Sequence, residues 1–380
     1  MSQHFDTKTV HFGTKKTNAT ASKTTPIYQT SAFKFNDLAD LEGFFQGEND
    51  YLYTRVGNPN TDELGTAVAQ LEGAPAGIAT SSGLSAILAG ILAVAKQGDH
   101  VLAATDIYGG TYQLLGGELP DFGIEISFVD FANLEEVEAG IQSNTTLLYS
   151  ESVTNPLLRV EEIAAVTALA KKHNLYSMID NTFATPYLCN PFEDGADLVV
   201  HSATKYIGGH SDVTAGVLVG KNELIEKART KVVNLGSNLS PFEAWLTCRG
   251  LKTLSVRMER HTKNAQRLAD ALQGNKAVQQ VYYPEHVSPL GNGAIVSIDI
   301  SGLCDIETFF KSLSWIKIVP TLAGVETSIS YPLGTSHRAV PDETLKELNI
   351  TEGLIRISVG IEDADDIIAA FEAALKQSAI

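Results

Sequence analysis

Short apolar runs alternate with amphipathic stretches between residues 74 and 220, and no other feature constrains the fold of this 380-residue chain as strongly. Such alternation predicts buried strands joined by helices, and hence a mostly parallel sheet that is covered on both faces. Ligands of these sheets bind beyond the carboxyl ends of the strands, so polar residues at those ends are the candidates for a site. The predicted strands are Gly77–Thr80, Val101–Thr105, Ile124–Val129, Thr145–Ser150, Leu175–Asp180, Leu198–His201 and Val213–Val219, with helices at Leu84–Lys96, Leu134–Ile141 and Val160–His173.

Two zones of different character flank this region. Residues 1–60 are rich in Thr, Asn, Lys and Phe without a sustained period, which predicts an arm of loops and short helices. The sequence therefore predicts an N-terminal arm over 1–60, a larger α/β domain over 61–245 and a smaller C-terminal α+β domain over 246–380. The last domain follows from a helical stretch at Pro241–Leu272, strands at Ala294–Ile300 and Leu354–Val359, and helices at Ile306–Leu313 and Ala364–Leu375.

Composition and missing motifs exclude several classes of function. The formal net charge of −17 at pH 7 would repel nucleic-acid phosphates, so we expect no nucleic-acid partner. The longest apolar run, Leu84–Ala95, is too short to span a bilayer, and residues 1–30 carry no hydrophobic signal segment. Cys189, Cys248 and Cys304 match neither a disulfide framework nor a zinc pattern. GxGxxG, GxxxxGK[ST], HExxH and GxSxG are absent. We expect a cytoplasmic protein that has no metal and no membrane partner.

The most unusual strand end is the run from His201 to His210. Lys205 follows a predicted buried strand there, stands among hydroxyl residues and precedes two glycines. A lysine amine becomes a nucleophile toward carbonyl groups when burial or neighbouring cations lower its pKa. A solvated loop lysine is the alternative. Neither His201 nor His210 has a partner at metal-ligand spacing, so both are interpreted as structural.

Two further polar sites follow predicted strands. Asp180 ends one strand, where its carboxylate could serve a ligand or only form a turn. Ser81, Ser82 and Gly83 begin a predicted helix, whose backbone N–H groups could bind phosphate; Ser82 as a simple N-cap is the alternative. A phosphate seat, a carboxylate and a reactive lysine on one sheet are the parts that pyridoxal 5′-phosphate requires.

Segments spread over almost the whole chain resemble one known family, the PLP-dependent enzymes of Cys/Met metabolism. This transsulfuration group includes cystathionine γ-synthases, cystathionine γ- and β-lyases, methionine γ-lyases and O-acyl-homoserine sulfhydrylases. The resemblance implies PLP fold type I, the fold of aspartate aminotransferase, with pyridoxal 5′-phosphate as cofactor. It also implies an amino-acid substrate and a homotetramer built from two dimers. The similar segments are Tyr53–Pro59, Ser81–Gly83, Tyr108–Thr111, Glu151–Pro156, Asp180–Phe183, His201–Lys205 and Leu354–Ser358.

The resemblance assigns a role to each matching residue. Lys205 would be joined covalently to the cofactor and move protons, and Tyr108 would stack on the ring and act as an acid or base. Asp180 would pair with the ring nitrogen. Arg356 would hold the substrate carboxylate through two parallel bonds, a geometry that suits Arg better than Lys. The remaining cofactor contacts would be Ser82, Gly83, Leu84, Asn155, Ser202 and Thr204 from one subunit and Tyr53 and Arg55 from a neighbour, with Asn155 and Thr321 also at the substrate.

The implied activity is cleavage of a C–S bond at the γ carbon of a sulfur amino acid, giving a 2-oxo acid, ammonia and a thiol. Replacement at the γ carbon, as in the synthases and sulfhydrylases, is the alternative. A β-lyase, an aminotransferase and a non-catalytic protein of the same fold are less favoured. Leu52 and Pro320 stand where cystathionine-using members often carry carboxylates, which favours methionine, homocysteine or an O-acyl-homoserine. Gly110 favours the synthases and cystathionine lyases instead, because methionine γ-lyases usually have Cys at that position.

Overall fold

A computed structural model of the chain describes residues 3–12, 21–338 and 341–380. Residues 1–2 and 13–20 of the predicted N-terminal arm lie outside the described residues. Among the described residues, no helix combines the length and apolar character needed to cross a membrane. The helices are α1 (Phe5–Val10), α2 (Leu38–Phe45), α3 (Pro59–Glu72), α4 (Gly83–Val94), α5 (Gly109–Gln113), α6 (Leu134–Ala139), α7 (Ile163–Lys172), α8 (Thr185–Leu188), α9 (Asn222–Leu235), α10 (Pro241–Leu251), α11 (Leu254–Leu272), α12 (Ile306–Ser312), α13 (Asp342–Glu347) and α14 (Ala364–Ser378).

The larger sheet has seven strands in the order β1-β7-β6-β5-β4-β2-β3. Strand β7 runs antiparallel to its neighbours β1 and β6, and the other pairs are parallel. The predicted mostly parallel sheet is therefore confirmed. Its strands are β1 (Ala76–Thr80), β2 (His100–Ala104), β3 (Glu125–Val129), β4 (Thr145–Glu151), β5 (Tyr176–Asp180), β6 (Leu198–His201) and β7 (Gly216–Gly220).

Helices cover both faces of this sheet because its strands are apolar on both sides. Val199 and Val217 pack into one core with Leu64 of α3, whereas Leu198 and Leu218 pack into a second core with Ile91 of α4. Side chains alternate between faces along a strand, so an uninterrupted apolar run such as Leu198–Val200 buries both of its faces.

A smaller sheet follows, in the order β10-β11-β12-β9-β8. It is antiparallel except for the β10–β11 pair, and α11, α12 and α14 contribute to the core on it. This arrangement confirms the predicted smaller α+β unit. The predicted boundary between 245 and 246 stays a prediction, and it falls inside α10. The strands are β8 (Gln280–Tyr282), β9 (Ile295–Asp299), β10 (Lys317–Ile318), β11 (Ser328–Ser330) and β12 (Leu354–Ser358).

The topology brings the carboxyl ends of four strands to the same end of the larger sheet. Strands β1, β6, β5 and β4 run in the same direction, because β7 is antiparallel to both β1 and β6. Their carboxyl ends therefore place Ser82, Ser202, Asp180 and Glu151 along one side of the sheet.

Candidate active site

A cavity of about 240 Å³ lies at the carboxyl ends of these strands. The strand ends and the first turn of α4 form its floor, and Pro320–Leu322 with Arg356 line it from the smaller sheet's side. The structure thus brings most of the predicted site residues together. Those that line the cavity are Ser82, Gly83, Leu84, Tyr108, Asn155, Asp180, Ser202, Thr204, Lys205, Thr321 and Arg356.

Lys205 lies in a tight turn just beyond β6. Its backbone N–H donates to Ser202 O at 3.0 Å, and its amine Nζ donates to the Thr321 hydroxyl at 2.9 Å. Burial, with a further contribution from the Arg356 charge, lowers the pKa of the amine to about 8. A much larger fraction of this amine is therefore unprotonated near neutrality than of an exposed lysine, and the solvated-loop alternative is wrong.

Asp180 is the last residue of β5, and its carboxyl group is partly buried. Its Oδ1 accepts the N–H of Thr182 at 2.9 Å. Burial raises the pKa of Asp180, and within the described ranges no lysine or arginine lies within 4 Å to offset that effect. A cationic ring nitrogen next to the carboxylate would supply the missing positive charge.

Helix α4 begins at the cavity, with Ser82 as its N-cap. The Ser82 hydroxyl accepts the N–H of Ser85 at 3.1 Å, so the N-cap interpretation is confirmed. The Gly83 and Leu84 N–H groups, at the first two positions of the helix, have no partner within it and remain available to an anion. A Cβ at Gly83 would lie 2.7 Å from Ser202 Cβ, so only glycine lets α4 begin this close to the end of β6.

Arg356 points from β12 into the cavity and is 2% exposed. Its Nη1 donates to Asn155 Oδ1 at 3.0 Å, whereas its Nε has no hydrogen-bond partner among the residues that the structure describes. Burial lowers the pKa of the guanidinium to about 10, so the group is still charged at neutral pH. No carboxylate in the described part of the chain lies within 4 Å of it. This arrangement suits an anionic ligand such as an α-carboxylate.

Tyr108 lines the cavity and is 42% exposed. Its backbone N–H donates to the buried Glu151 carboxyl group at 2.7 Å. Sequence reasoning missed Glu151 as a separate site residue, although it ends β4 and begins the Glu151–Pro156 segment.

His337 is a second residue that sequence reasoning did not place at the site. Its Nε2 lies 3.1 Å from Asn155 O and its Nδ1 lies 2.9 Å from the Ser336 hydroxyl. Burial and the Arg356 charge lower the pKa of His337 to about 4, so the ring is neutral at pH 7. The carbonyl can only accept, so Nε2 carries the proton and donates it to Asn155. His337 therefore supports the residue that pairs with Arg356.

Tyr53 and Arg55 do not reach this cavity within one chain. Arg55 Nη1 donates to Val233 O at 3.2 Å, and the guanidinium carbon lies 5.5 Å from the centre of the Tyr53 ring. Their predicted contact with a neighbouring subunit's cofactor stays a prediction.

The buried His201 belongs to a different environment from the cavity. Its Nε2 lies 2.8 Å from Glu72 Oε1 in the interior, in agreement with the structural interpretation. No cluster of His, Cys, Asp or Glu suited to a metal ion occurs in residues 3–12, 21–338 and 341–380.

The polar groups that line the cavity fit pyridoxal phosphate. The partly buried Lys205 amine, the Asp180 carboxyl group and the N-terminus of α4 line one cavity. They match the aldehyde, the ring nitrogen and the phosphate of that molecule, respectively. The guanidinium of Arg356, whose Nε has no partner in the described ranges, adds a site for the carboxylate of an amino acid.

Comparison with known proteins gives consistent matches over the whole chain. The model of a family described as Cys/Met metabolism PLP-dependent enzyme matches residues 6–376. A cystathionine β-lyase of Lactococcus lactis subsp. cremoris is 40% identical over 382 residues, covering 98% of each chain. An L-methionine γ-lyase of Porphyromonas gingivalis is 41% identical over 384 residues, covering 97% of this chain and 96% of the relative. The solved cystathionine γ-synthase of Xanthomonas oryzae pv. oryzae, in complex with aminoacrylate and cysteine, has a TM-score of 0.93 and 34% identity over 99% of each chain.

Proposed function

This chain belongs to the Cys/Met metabolism PLP-dependent enzymes, and we propose that it cleaves the C–S bond at the γ carbon of a sulfur amino acid. The predicted family, fold class and cofactor are confirmed, and γ-lyases are among the relatives. The proposal rests on the position of the Lys205 amine. It lies 2.9 Å from the Thr321 hydroxyl, in a cavity that Asp180 and Arg356 also line.

Each polar residue of the cavity has a separate task in this reaction. Bound pyridoxal phosphate withdraws electrons from the α carbon of an amino acid joined to it. Arg356 holds the substrate carboxylate through parallel N–H bonds and so fixes the α carbon near Lys205. Asp180 carries the negative charge that keeps the ring nitrogen protonated.

Two residues move the protons of the reaction. Lys205 Nζ would take the α proton, return it to the bound substrate–cofactor adduct and, as a free amine again, take a β proton, which allows the γ substituent to leave. Tyr108 Oη donates a proton to the departing sulfur. With methionine, one water is consumed and methanethiol, 2-oxobutanoate and ammonia are released.

The walls of the cavity favour a substrate without a distal ammonium group. Ile87, Phe183 and Leu322 are apolar, and Pro320 also lines the cavity. Glu151 and Asp180 are the only carboxylates that line the cavity in the described part of the chain. Both lie at strand ends, where Glu151 accepts a hydrogen bond from the Tyr108 N–H and Asp180 accepts one from the Thr182 N–H. Methionine, homocysteine or an O-acyl-homoserine therefore suits the cavity better than cystathionine.

Replacement at the γ carbon is the second candidate, because the contact between Tyr108 and Gly110 supports it. A Cβ at Gly110 would lie 2.5 Å from Cε1 of the Tyr108 ring. The ring therefore occupies the space of a side chain at this position, where methionine γ-lyases usually have Cys. Likeness to a cystathionine γ-synthase at a TM-score of 0.93 is consistent with this candidate.

A substrate panel with and without an added thiol tests the proposal. The purified enzyme is incubated with methionine, homocysteine, cystathionine, cysteine or an O-acyl-homoserine, and ammonia, 2-oxobutanoate, pyruvate and thioether are measured. The γ-lyase proposal predicts equal amounts of ammonia and 2-oxobutanoate, from methionine or homocysteine, without added thiol. Thioether without ammonia supports the replacement reaction, pyruvate from cystathionine indicates a β-lyase, and turnover that requires a 2-oxo acid acceptor indicates an aminotransferase. Lys205→Ala is the control for background chemistry.

We further propose that the active form is a homotetramer of two dimers, with Tyr53 and Arg55 completing the site of a neighbour. Tyr53 is 42% exposed, and the preceding arm presents further exposed apolar side chains, Leu38 and Phe45. Such a surface is unusual on a monomer and typical of an interface. Sedimentation velocity at assay concentration tests this, since an active monomer would contradict it.

We also propose a cytoplasmic location. Cys248 and Cys304 are buried free thiols, and Cys189 is a half-buried one. Free thiols are typical of reducing compartments. Fractionation of cells that produce the protein, with enzymes of known compartment as markers, checks the location.

A further inference from the structure

We propose that Glu151 is a positioning residue that acts through Tyr108: its carboxyl oxygen fixes the Tyr108 backbone and thereby the phenol over the cavity. Glu151 is 5% exposed, ends β4 and lines the cavity. Its Oε1 accepts the Tyr108 N–H at 2.7 Å, although the two residues are 43 positions apart in the chain. The bond therefore ties the start of α5 to the carboxyl end of β4 in the larger sheet.

The Tyr108 side chain depends on its backbone for its position. In the described part of the chain, no hydrogen bond holds its hydroxyl, and its ring packs against Gly110. The Tyr108 carbonyl accepts the N–H groups of Thr111 and Tyr112, at 2.8 and 2.9 Å, which binds it to the short helix α5. Helix α5 runs on into a π-helical segment at Leu114–Glu118, so its C-terminal end is fixed by the chain that follows. At its N-terminal end Tyr108 makes no side-chain cap bond, so the bond from Tyr108 N–H to Glu151 ties this end of the helix to the larger sheet.

Packing on the other side of this turn leaves little freedom for a compensating shift. A Cβ at Gly109 would lie 1.9 Å from Ser336 O, so the backbone of this turn already touches the Ser336–His337 segment. If the bond to Glu151 were lost, the turn could shift, but not toward Ser336, which blocks that direction. The Tyr108 ring would move with it.

The surroundings of Glu151 suit a neutral acceptor rather than an ion. Its Cα partner in the neighbouring strand is Asp180, the carboxyl group assigned to the cofactor ring. Burial, together with the Asp180 charge, raises the pKa of Glu151 well above its usual range. Arg159, whose positive charge also acts on Glu151, is bonded to Asp106 and Glu161 instead. A neutral carboxyl group accepts the Tyr108 N–H through its carbonyl oxygen and adds no second negative charge beside Asp180.

Two substitutions separate this role from the alternatives. Glu151→Gln keeps a neutral carbonyl acceptor, so we expect kcat and cofactor retention to stay within about twofold of wild type. Glu151→Leu removes the acceptor at similar volume, so we expect kcat to fall by about tenfold and bound cofactor to be lost faster on dialysis. In the peptide that spans residues 106–113, backbone amide exchange of the cofactor-loaded protein should be faster in Glu151→Leu and unchanged in Glu151→Gln.

A double-mutant cycle tests whether Glu151 acts through Tyr108. In a Tyr108→Ala background, Glu151→Leu should lower kcat by less than about twofold, because the side chain that it positions is gone. An equal loss in both backgrounds would overturn the proposal, and so would a Glu151→Gln variant as impaired as Glu151→Leu, since charge or proton transfer would then be the role of Glu151. If Glu151→Leu does not fold, Glu151→Ala replaces it in the same cycle.

This inference rests on the proposed role of Tyr108 but not on the identity of the substrate. Cofactor loss and amide exchange are measured without any amino acid, so they report on Glu151 even if the enzyme catalyses replacement instead of cleavage. Failure of the substrate panel together with the expected exchange pattern would reject the γ-lyase assignment alone. Wild-type exchange in Glu151→Leu would reject the positioning role alone.

Discussion

The Lys205 amine donates a 2.9 Å hydrogen bond to the hydroxyl of Thr321, which lies 116 positions further along the chain. The bond connects the turn beyond β6 to the segment that precedes the smaller sheet's β11. It holds the amine among Asp180, Tyr108 and Arg356 within the cavity. A segment of the smaller sheet's unit thus contacts the Lys205 amine, on which the proposed chemistry depends.

The lowered pKa of Lys205 predicts how the cofactor-free enzyme takes up pyridoxal phosphate. Only the unprotonated amine reacts with an aldehyde, and at a pKa of about 8 about a tenth of it is unprotonated at pH 7, against about one part in 3,000 for an ordinary lysine. The rate of reconstitution, followed by visible absorbance, should therefore rise with pH and level off above about pH 8. A rise that continues beyond pH 10 would contradict the lowered pKa, and Lys205→Ala should show no visible band at any pH.

Arg356→Lys should impair binding of the amino acid rather than retention of the cofactor. A lysine keeps the charge but not the two parallel N–H bonds to a carboxylate, so we expect KM to rise by about two orders of magnitude. The exposed Arg267, which pairs with Asp365, offers a matched control, and Arg267→Lys should leave KM unchanged. An unchanged KM in Arg356→Lys would remove Arg356 from the substrate site.

Gly110→Ala should lower activity by displacing the Tyr108 ring. The new Cβ would lie 2.5 Å from Cε1 of the ring, which must rotate away, so we expect kcat to fall by about tenfold. Gly117 provides the control: a Cβ there would meet no atom within 4 Å, so Gly117→Ala adds the same methyl group without a clash. Equal kcat values for the two variants would show that the ring does not need its present position.

Mixing two inactive variants tests whether Arg55 acts across a subunit interface. Arg55→Ala and Lys205→Ala each disable every site in a homodimer, but a mixed dimer would contain one site with both native residues. After joint unfolding and refolding, random pairing should restore about a quarter of wild-type activity. Lys205→Ala mixed with Asp180→Ala should restore none, since both residues belong to the same subunit's site. Recovery in neither mixture would show that Arg55 does not act across a subunit interface.

Much of the larger sheet was predictable, because buried strands and amphipathic helices leave strong local patterns. The short strand β10, which is only Lys317–Ile318, has no such pattern, and both of its residues are exposed. The stretch 241–272 was predicted as one helix but divides into α10 and α11. Arg257 Nη2 and Thr253 N–H both donate to Gly250 O, so tertiary and turn contacts replace the continuing helical bonds there. The helix α9 was not predicted.

The site was predictable where its residues follow strands and not where distant segments meet. Lys205, Asp180 and Ser82 each come just after or at the end of an apolar run, so sheet topology alone brings them together. The contact of Glu151 with Tyr108 and that of His337 with Asn155 join residues far apart in the chain. No local pattern encodes such contacts, since they depend on how loops and the smaller sheet pack over the cavity.

Borohydride reduction followed by peptide mapping tests the central claim most directly, because it fixes the cofactor to whichever amine holds it. The purified, cofactor-loaded enzyme is reduced, digested and analysed by mass spectrometry. We expect the pyridoxyl phosphate label on Lys205, in the peptide that contains His201–Tyr206, with loss of the visible absorbance band. A label on any other lysine, or no label in protein that retains its visible band, would contradict the account.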